Sequence, residues 1–406
     1  MTDISASAVG KFAPAADRVH LLDALRAIAL FGVILFNITG MVGAWAGSEV
    51  LSKATPLDLG FIAFDLILIQ GKARACFALL FGVGFGLMMD RAAASGRRFV
   101  PFHLRRMTVL LLIGCCNLAF LFFGDILILY ALIGMLLLAF RGLSNRALLV
   151  SGLVLLLVPP VAIGLGEAVT GAPLPNLAGL DPAQAETWMA TLAPAYRSPH
   201  YLDFVAANLR YYLMRDGVET ADAIMYDLSV LGLFVIGLWT ARCRVLFDVE
   251  HWRPFLRRVA WWTLPIGLVF SLVFATRRMG IEATGVLHGL VTASYAGLAF
   301  MAFGYVALLA LFLTGKGEGL QRALAPAGRM ALTGYLASNA IGGFVWYGWG
   351  LGQLGKWNGA AINLLGCAIF AALWLFSALW MRAFRFGPAE WIWRSLSYGK
   401  AQPLLR

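Results

Sequence analysis

Long apolar runs separated by short polar loops recur along almost the whole chain. A helix needs roughly 20 apolar residues to cross a hydrocarbon core about 30 Å thick, and the runs predict such helices over residues 24–45, 71–90, 107–123, 125–141, 147–165, 222–241, 259–276, 288–314, 330–350 and 360–381. The fold class expected is therefore all-α integral membrane, one bundle of about ten transmembrane helices filling residues 1–406. Residues 166–221 are the one long polar interruption, expected as a periplasmic loop. Residues 56–70 are apolar but would make the second span too long for the bilayer, so an interfacial or re-entrant segment is expected there. Residues 201–215, with Tyr201, Tyr211 and Tyr212 beside Asp203, Asn208, Arg210 and Arg215, read as a helix lying in the outer interface.

Composition excludes a soluble globular fold: 61% of the 406 residues are hydrophobic and 13% charged, where soluble domains are about 25% charged. The net charge of +11 does not signal nucleic acid, because the basic residues are dispersed through loops. Their distribution sets orientation instead. Arg91, Arg97, Arg98, Arg105 and Arg106, then Arg242, Arg244, Arg253, Arg257 and Arg258, then Arg382, Arg385, Arg394, Lys400 and Arg406 fall on one side. By the positive-inside rule that side is cytoplasmic, with both termini. Cys76, Cys115, Cys116, Cys243 and Cys367 show no metal-binding spacing, and no metal is expected.

Four stretches resemble the YeiB-like bacterial membrane family (domain of unknown function 418), itself related in fold to transmembrane acyltransferases such as the heparan-α-glucosaminide N-acetyltransferase. They are RVHLLDALRAIALFGVILFNI (Arg18 to Ile38), KARACFALLFGVGFGLMMDR (Lys72 to Arg91), GDILILYALIG (Gly124 to Gly134), and APAGRMALTGYL (Ala325 to Leu336) with RFGPAEWIWRSLSYGKAQPL (Arg385 to Leu404). The resemblance implies a multi-pass protein of the bacterial cytoplasmic (inner) membrane. It further implies an acyltransferase that moves an acyl group from cytoplasmic acyl-CoA to a small-molecule, lipid or glycan acceptor at the outer leaflet or periplasm. Membrane lipids are the surrounding partners, and a homo-oligomer is compatible with the pattern. The chain departs from the family at Ala27, where glycine is usual, and at Asn117, where a histidine is expected; residues 46–58 also lack the histidine of the heparan-modifying enzyme.

Ionisable groups in hydrocarbon are costly and mark candidate sites. Lys72, Arg74, Asp125 and His288, with Asn117, are expected near outer helix ends. Asp125 there partners Lys72 or Arg74; Asp125 or His288 removes the acceptor proton, and Lys72 or Arg74 stabilises oxyanion charge. The alternatives are a helix-terminal acid for Asp125, interfacial anchoring for Lys72 and Arg74, and a structural histidine. On the inner side Arg26, Arg105, Arg106 and Arg329 are candidates for CoA phosphates, since the guanidinium fork suits phosphate oxygens; positive-inside orientation and an Asp23–Arg26 ion pair account for them equally. Gly82 and Gly86 read as small-residue packing, and Glu390, between Trp391 and Trp393, as part of an interfacial segment closing the cytoplasmic face. Two other functions fit the same charges: a small-molecule transporter or exporter, and a non-catalytic membrane scaffold.

Overall fold

In a computed structural model the chain is described over residues 15–170, 182–217, 221–278 and 286–406, with the side chains of 15–19, 48–49, 182–189, 214–217, 221–223, 276–278 and 286–288 outside the description. The described residues form α-helices α1 (Ala15–Ser52), α2 (Pro56–Phe64), α3 (Lys72–Ala94), α4 (Phe99–Phe120), α5 (Leu127–Leu136), α6 (Asn145–Thr170), α7 (Pro182–Arg197), α8 (Tyr201–Gly217), α9 (Ala221–Arg242), α10 (Val249–Arg278), α11 (Val286–Ala293), α12 (Tyr295–Leu313), α13 (Glu318–Arg329), α14 (Ala331–Trp346), α15 (Gly359–Ala383) and α16 (Pro388–Tyr398). This is an all-α membrane bundle. Among the described residues, eight helical segments are long and apolar enough to cross a bilayer.

The two other expected spans, 125–141 and 330–350, are short helices. The first is Leu127–Phe140, ending in a 3-10 turn; the second, α14, has 16 residues, about 24 Å at 1.5 Å per residue. Met330 (φ −108°, ψ 28°) breaks the chain between α13 and α14. Short helices at membrane depth are tolerated where their ends are buried in protein or face a cavity. Both line the cavity described below.

Residues 56–70 form α2 and a π-helical turn, Asp65–Ile69. Asp58 fixes the start of α2 through a capping box with Thr55 and accepts from the Ala360 N–H at 3.0 Å, tying α2 to α15. Gly71, at φ +81°, turns the chain into α3; that backbone conformation is one that glycine adopts without penalty. Helix α8 docks on the end of α4, where Asn208 donates to the Ala119 carbonyl at 3.2 Å and Tyr201 to that of Phe120 at 2.5 Å.

Van der Waals packing, rather than water exclusion, holds helices together in lipid, and small residues permit close approach. Along the α3–α9 contact a Cβ on Gly82 would run into the Phe234 carbonyl, and one on Gly237 into that of Leu79. Gly82→Ala is expected to lower stability by about 1–3 kcal/mol, the usual cost of overpacking. Gly40→Ala, where a Cβ meets nothing within 4 Å, should hold or raise it, since alanine is the better helix former. Melting curves in detergent measure both; equal behaviour would contradict this packing.

Candidate functional site

A cavity of about 830 Å³ opens between α1, α3, α4, α14 and α16. It follows one face of α3 from Arg74 through Phe77, Phe81, Gly84 and Met88 to Ser95, a length of about 30 Å at 1.5 Å per residue. Nine arginines line it: Arg26, Arg74, Arg91, Arg97, Arg98, Arg106, Arg329, Arg385 and Arg394. The acids on its wall are Asp23 and Glu390.

The two acids offset only part of that charge. Asp23, buried on α1, lies 3.0 Å from Arg26 and 3.8 Å from the Nε of Arg329. Glu390 is turned away to the start of α14, accepting from the Leu332 and Thr333 N–H groups at 2.7 and 3.0 Å and from the Thr333 hydroxyl at 2.5 Å. Burial pushes its pKa above the ordinary value, against the pull of those donors. In this way α16 is fastened to the helix whose first turn forms the cavity wall.

Aromatic faces hold several guanidinium groups in place. Arg106 lies over the Trp393 ring at 3.7 Å, while the Trp393 indole N–H donates to the Arg106 carbonyl at 2.9 Å. Arg394 lies over Phe386 at 4.5 Å and Tyr398 at 5.7 Å. Farther along α3, Arg74 lies over Phe36 at 4.5 Å and Tyr226 at 5.2 Å. Such stacking fixes the plane of the fork and leaves its edge for an anion. Arg74, Arg106, Arg329 and Arg394 each carry a buried Nε with no hydrogen-bond partner, and all of them line this cavity. Buried donors are ordinarily bonded; with Asp23 3.8 Å from the Nε of Arg329, the other three orphans give the cavity a surface suited to anionic oxygens.

Behind that wall a chain of buried polar side chains crosses the bundle. Asn37 on α1 donates to Asn339 on α14 at 2.9 Å, Asn339 to Asn117 on α4 at 3.2 Å, and Asn117 to Asp125 Oδ1 at 2.6 Å. Asp125 Oδ2 accepts the Ile128 N–H at 2.8 Å, capping α5. The Tyr335 hydroxyl, on the cavity wall, accepts from the Ile126 N–H at 3.4 Å.

The expected outer cluster thus separates into parts. Asp125 partners neither Lys72 nor Arg74; Asn117 and the first turn of α5 occupy it. Lys72 is fully buried, donates to the Leu66 carbonyl at 2.9 Å and has Asp65 as its electrostatic neighbour. Lys72 does not line the cavity, so it is corrected from oxyanion group to a buried partner of the π-helical turn. Arg74, two residues on, lines the cavity together with Arg26, Arg106 and Arg329. Arg105 is exposed and outside it, lying beside Gly399, because neighbouring residues project from different faces of a helix. The side chain of His288 lies outside the described residues.

Arg394, Trp393, Tyr335, Asn37 and Asn339 are additions that sequence reasoning missed. Arg394 and Trp393 stood in the distinctive stretch Arg385 to Leu404, where an arginine next to an aromatic pair was a usable signal. Asn37 and Asn339, polar residues inside apolar runs, were another.

The family described as "Protein of unknown function (DUF418)" matches residues 240–400. Over 405 residues the chain is 31% identical to the uncharacterised protein YxaH of Bacillus subtilis, covering 96% of each chain. It is 28% identical over 415 residues to the uncharacterised protein YeiB of Escherichia coli, covering 96% of this chain and 98% of the other. A 39.9 kDa uncharacterised protein from the amylase 3′ region of Bacillus acidopullulyticus is 29% identical over 398 residues, with 96% coverage of each.

Proposed function

The chain belongs to the YeiB-like DUF418 family of membrane proteins, and we propose that it is a membrane-embedded acyltransferase of the bacterial inner membrane. In this reading it takes an acyl group from cytoplasmic acyl-CoA and delivers it to a small-molecule, lipid or glycan acceptor at the outer leaflet or periplasm. The observation that carries the proposal is the set of orphaned guanidinium nitrogens on one long cavity, its wall polar at the arginines and apolar along Phe77, Leu80, Phe81 and Leu110. A polyphosphate head with a long, thin arm matches that division.

By the positive-inside rule the end carrying Arg91, Arg97, Arg98 and Arg385 faces the cytoplasm. The donor phosphates then lie among Arg106, Arg329 and Arg394, where charge-assisted hydrogen bonds to arginine are strongest. The arm extends along α3 toward Tyr335 and Arg74. There the acceptor's hydroxyl or amine forms a bond to the acyl carbon as the carbon–sulfur bond breaks. The acceptor's proton passes through the Tyr335 hydroxyl to Asp125, its electrostatic neighbour, and from there to the CoA sulfur.

A second reading, a carrier for an organic anion, is favoured by one observation: among the described residues no histidine lines the cavity. Proteoliposomes distinguish the two. Acyl transfer predicts CoA release that depends on an acceptor; a carrier predicts uptake of anion without acyl-CoA, and that result with no CoA release would replace the transferase reading.

A further inference from the structure

Arg74 is set apart from the other arginines of the cavity. Arg26 lies beside Gly84, whose added Cβ would stand 3.4 Å from its Nη2. From Gly84 back to Arg74 the helix rises about 15 Å. Over that distance the wall is Val33, Phe77, Leu80, Phe81, Leu127 and Tyr130. Phosphates held among the inner arginines therefore do not reach Arg74.

No carboxylate among the described residues forms an ion pair with Arg74. Its Nε is buried without a partner, and so is the hydroxyl of Tyr226, whose ring lies under the guanidinium. The Tyr130 hydroxyl is not a free donor beside it, because its proton goes to the Arg74 carbonyl at 2.8 Å. An arginine at membrane depth is costly unless an anion or a water-filled space meets it. Here a guanidinium with an unused donor stands at the end of an apolar passage.

We infer that the acyl group brought into this cavity bears a carboxylate of its own, bound at the far end by Arg74. The donor class is then an ω-carboxyacyl-CoA such as succinyl-CoA, rather than a simple fatty acyl-CoA. The inference rests on the donor reading above. One carboxylate matches one guanidinium in charge, and its two oxygens match the fork's parallel N–H groups. A dianionic phosphate at the same place would leave negative charge uncompensated in an apolar wall.

The test is a calorimetric titration of the purified full-length chain with CoA, butyryl-CoA and succinyl-CoA. The chain should bind succinyl-CoA about tenfold or more tighter than butyryl-CoA, the effect of a charge-assisted pair. Arg74→Gln should bring succinyl-CoA to the butyryl-CoA level, and Arg74→Lys, which keeps the charge without the fork, should keep part of the preference. Binding of CoA with equal affinity for the two acyl forms would overturn the inference and leave the donor reading standing. Absence of binding by all three ligands would remove both.

Discussion

Asp125→Asn is expected to reduce acyl transfer by a factor of about 10² to 10⁴, the usual contribution of a positioned acid or base, with CoA binding retained. The substitution is not a neutral swap of shape. Asp125 accepts from Asn117 through one oxygen and from the Ile128 N–H through the other. An asparagine there has one oxygen and one NH2, so either one of those donors faces another donor or the Asn117, Asn339 and Asn37 amides must all reverse. Leaving a buried group unsatisfied costs about 1–3 kcal/mol, and the melting temperature should fall accordingly. The CoA titration separates the two effects, because the arginines lie on other segments of the bundle. Full transfer activity in Asp125→Asn would remove Asp125 from the mechanism; loss of CoA binding along with activity would make it a structural cap alone.

The bundle was legible in the sequence because a long apolar run admits little besides a spanning helix. The short helices were not. Residues 125–141 and 330–350 have the composition of spans, and only the break at Met330 and the docking of α16 through Glu390 show that α14 stops short and leaves a cavity beside it. Depth along the membrane is also readable in the sequence, whereas the facing of each side chain depends on which helices pack around it. Lys72 and Arg74 are two residues apart and so point to different sides of α3, one toward Asp65 and the π-helical turn, the other toward the cavity. Arg105 and Arg106 separate for the same reason. The inner and outer sites expected from the charge pattern are joined by one cavity along α3. The Asn37–Asn339–Asn117–Asp125 chain was hidden because its members are far apart in sequence, and polar residues isolated in apolar runs reveal their partners only when the helices are assembled.

The donor site itself is tested by titrating CoA into the native chain, an Arg106→Ala/Arg394→Ala double variant and Arg105→Ala. Arg106 and Arg394 are electrostatic neighbours, each held against aromatic rings with Nε unpartnered. Each charged hydrogen bond contributes about 1.5–3 kcal/mol, so the double variant should lose at least about 100-fold in affinity, at 1.4 kcal/mol per factor of ten. Arg105, close in sequence and outside the cavity, should be replaceable without effect. Tight CoA binding by the native chain, weakened in the double variant and unchanged in Arg105→Ala, is the predicted result; no binding by the native chain, or equal affinity in all three, would contradict the account.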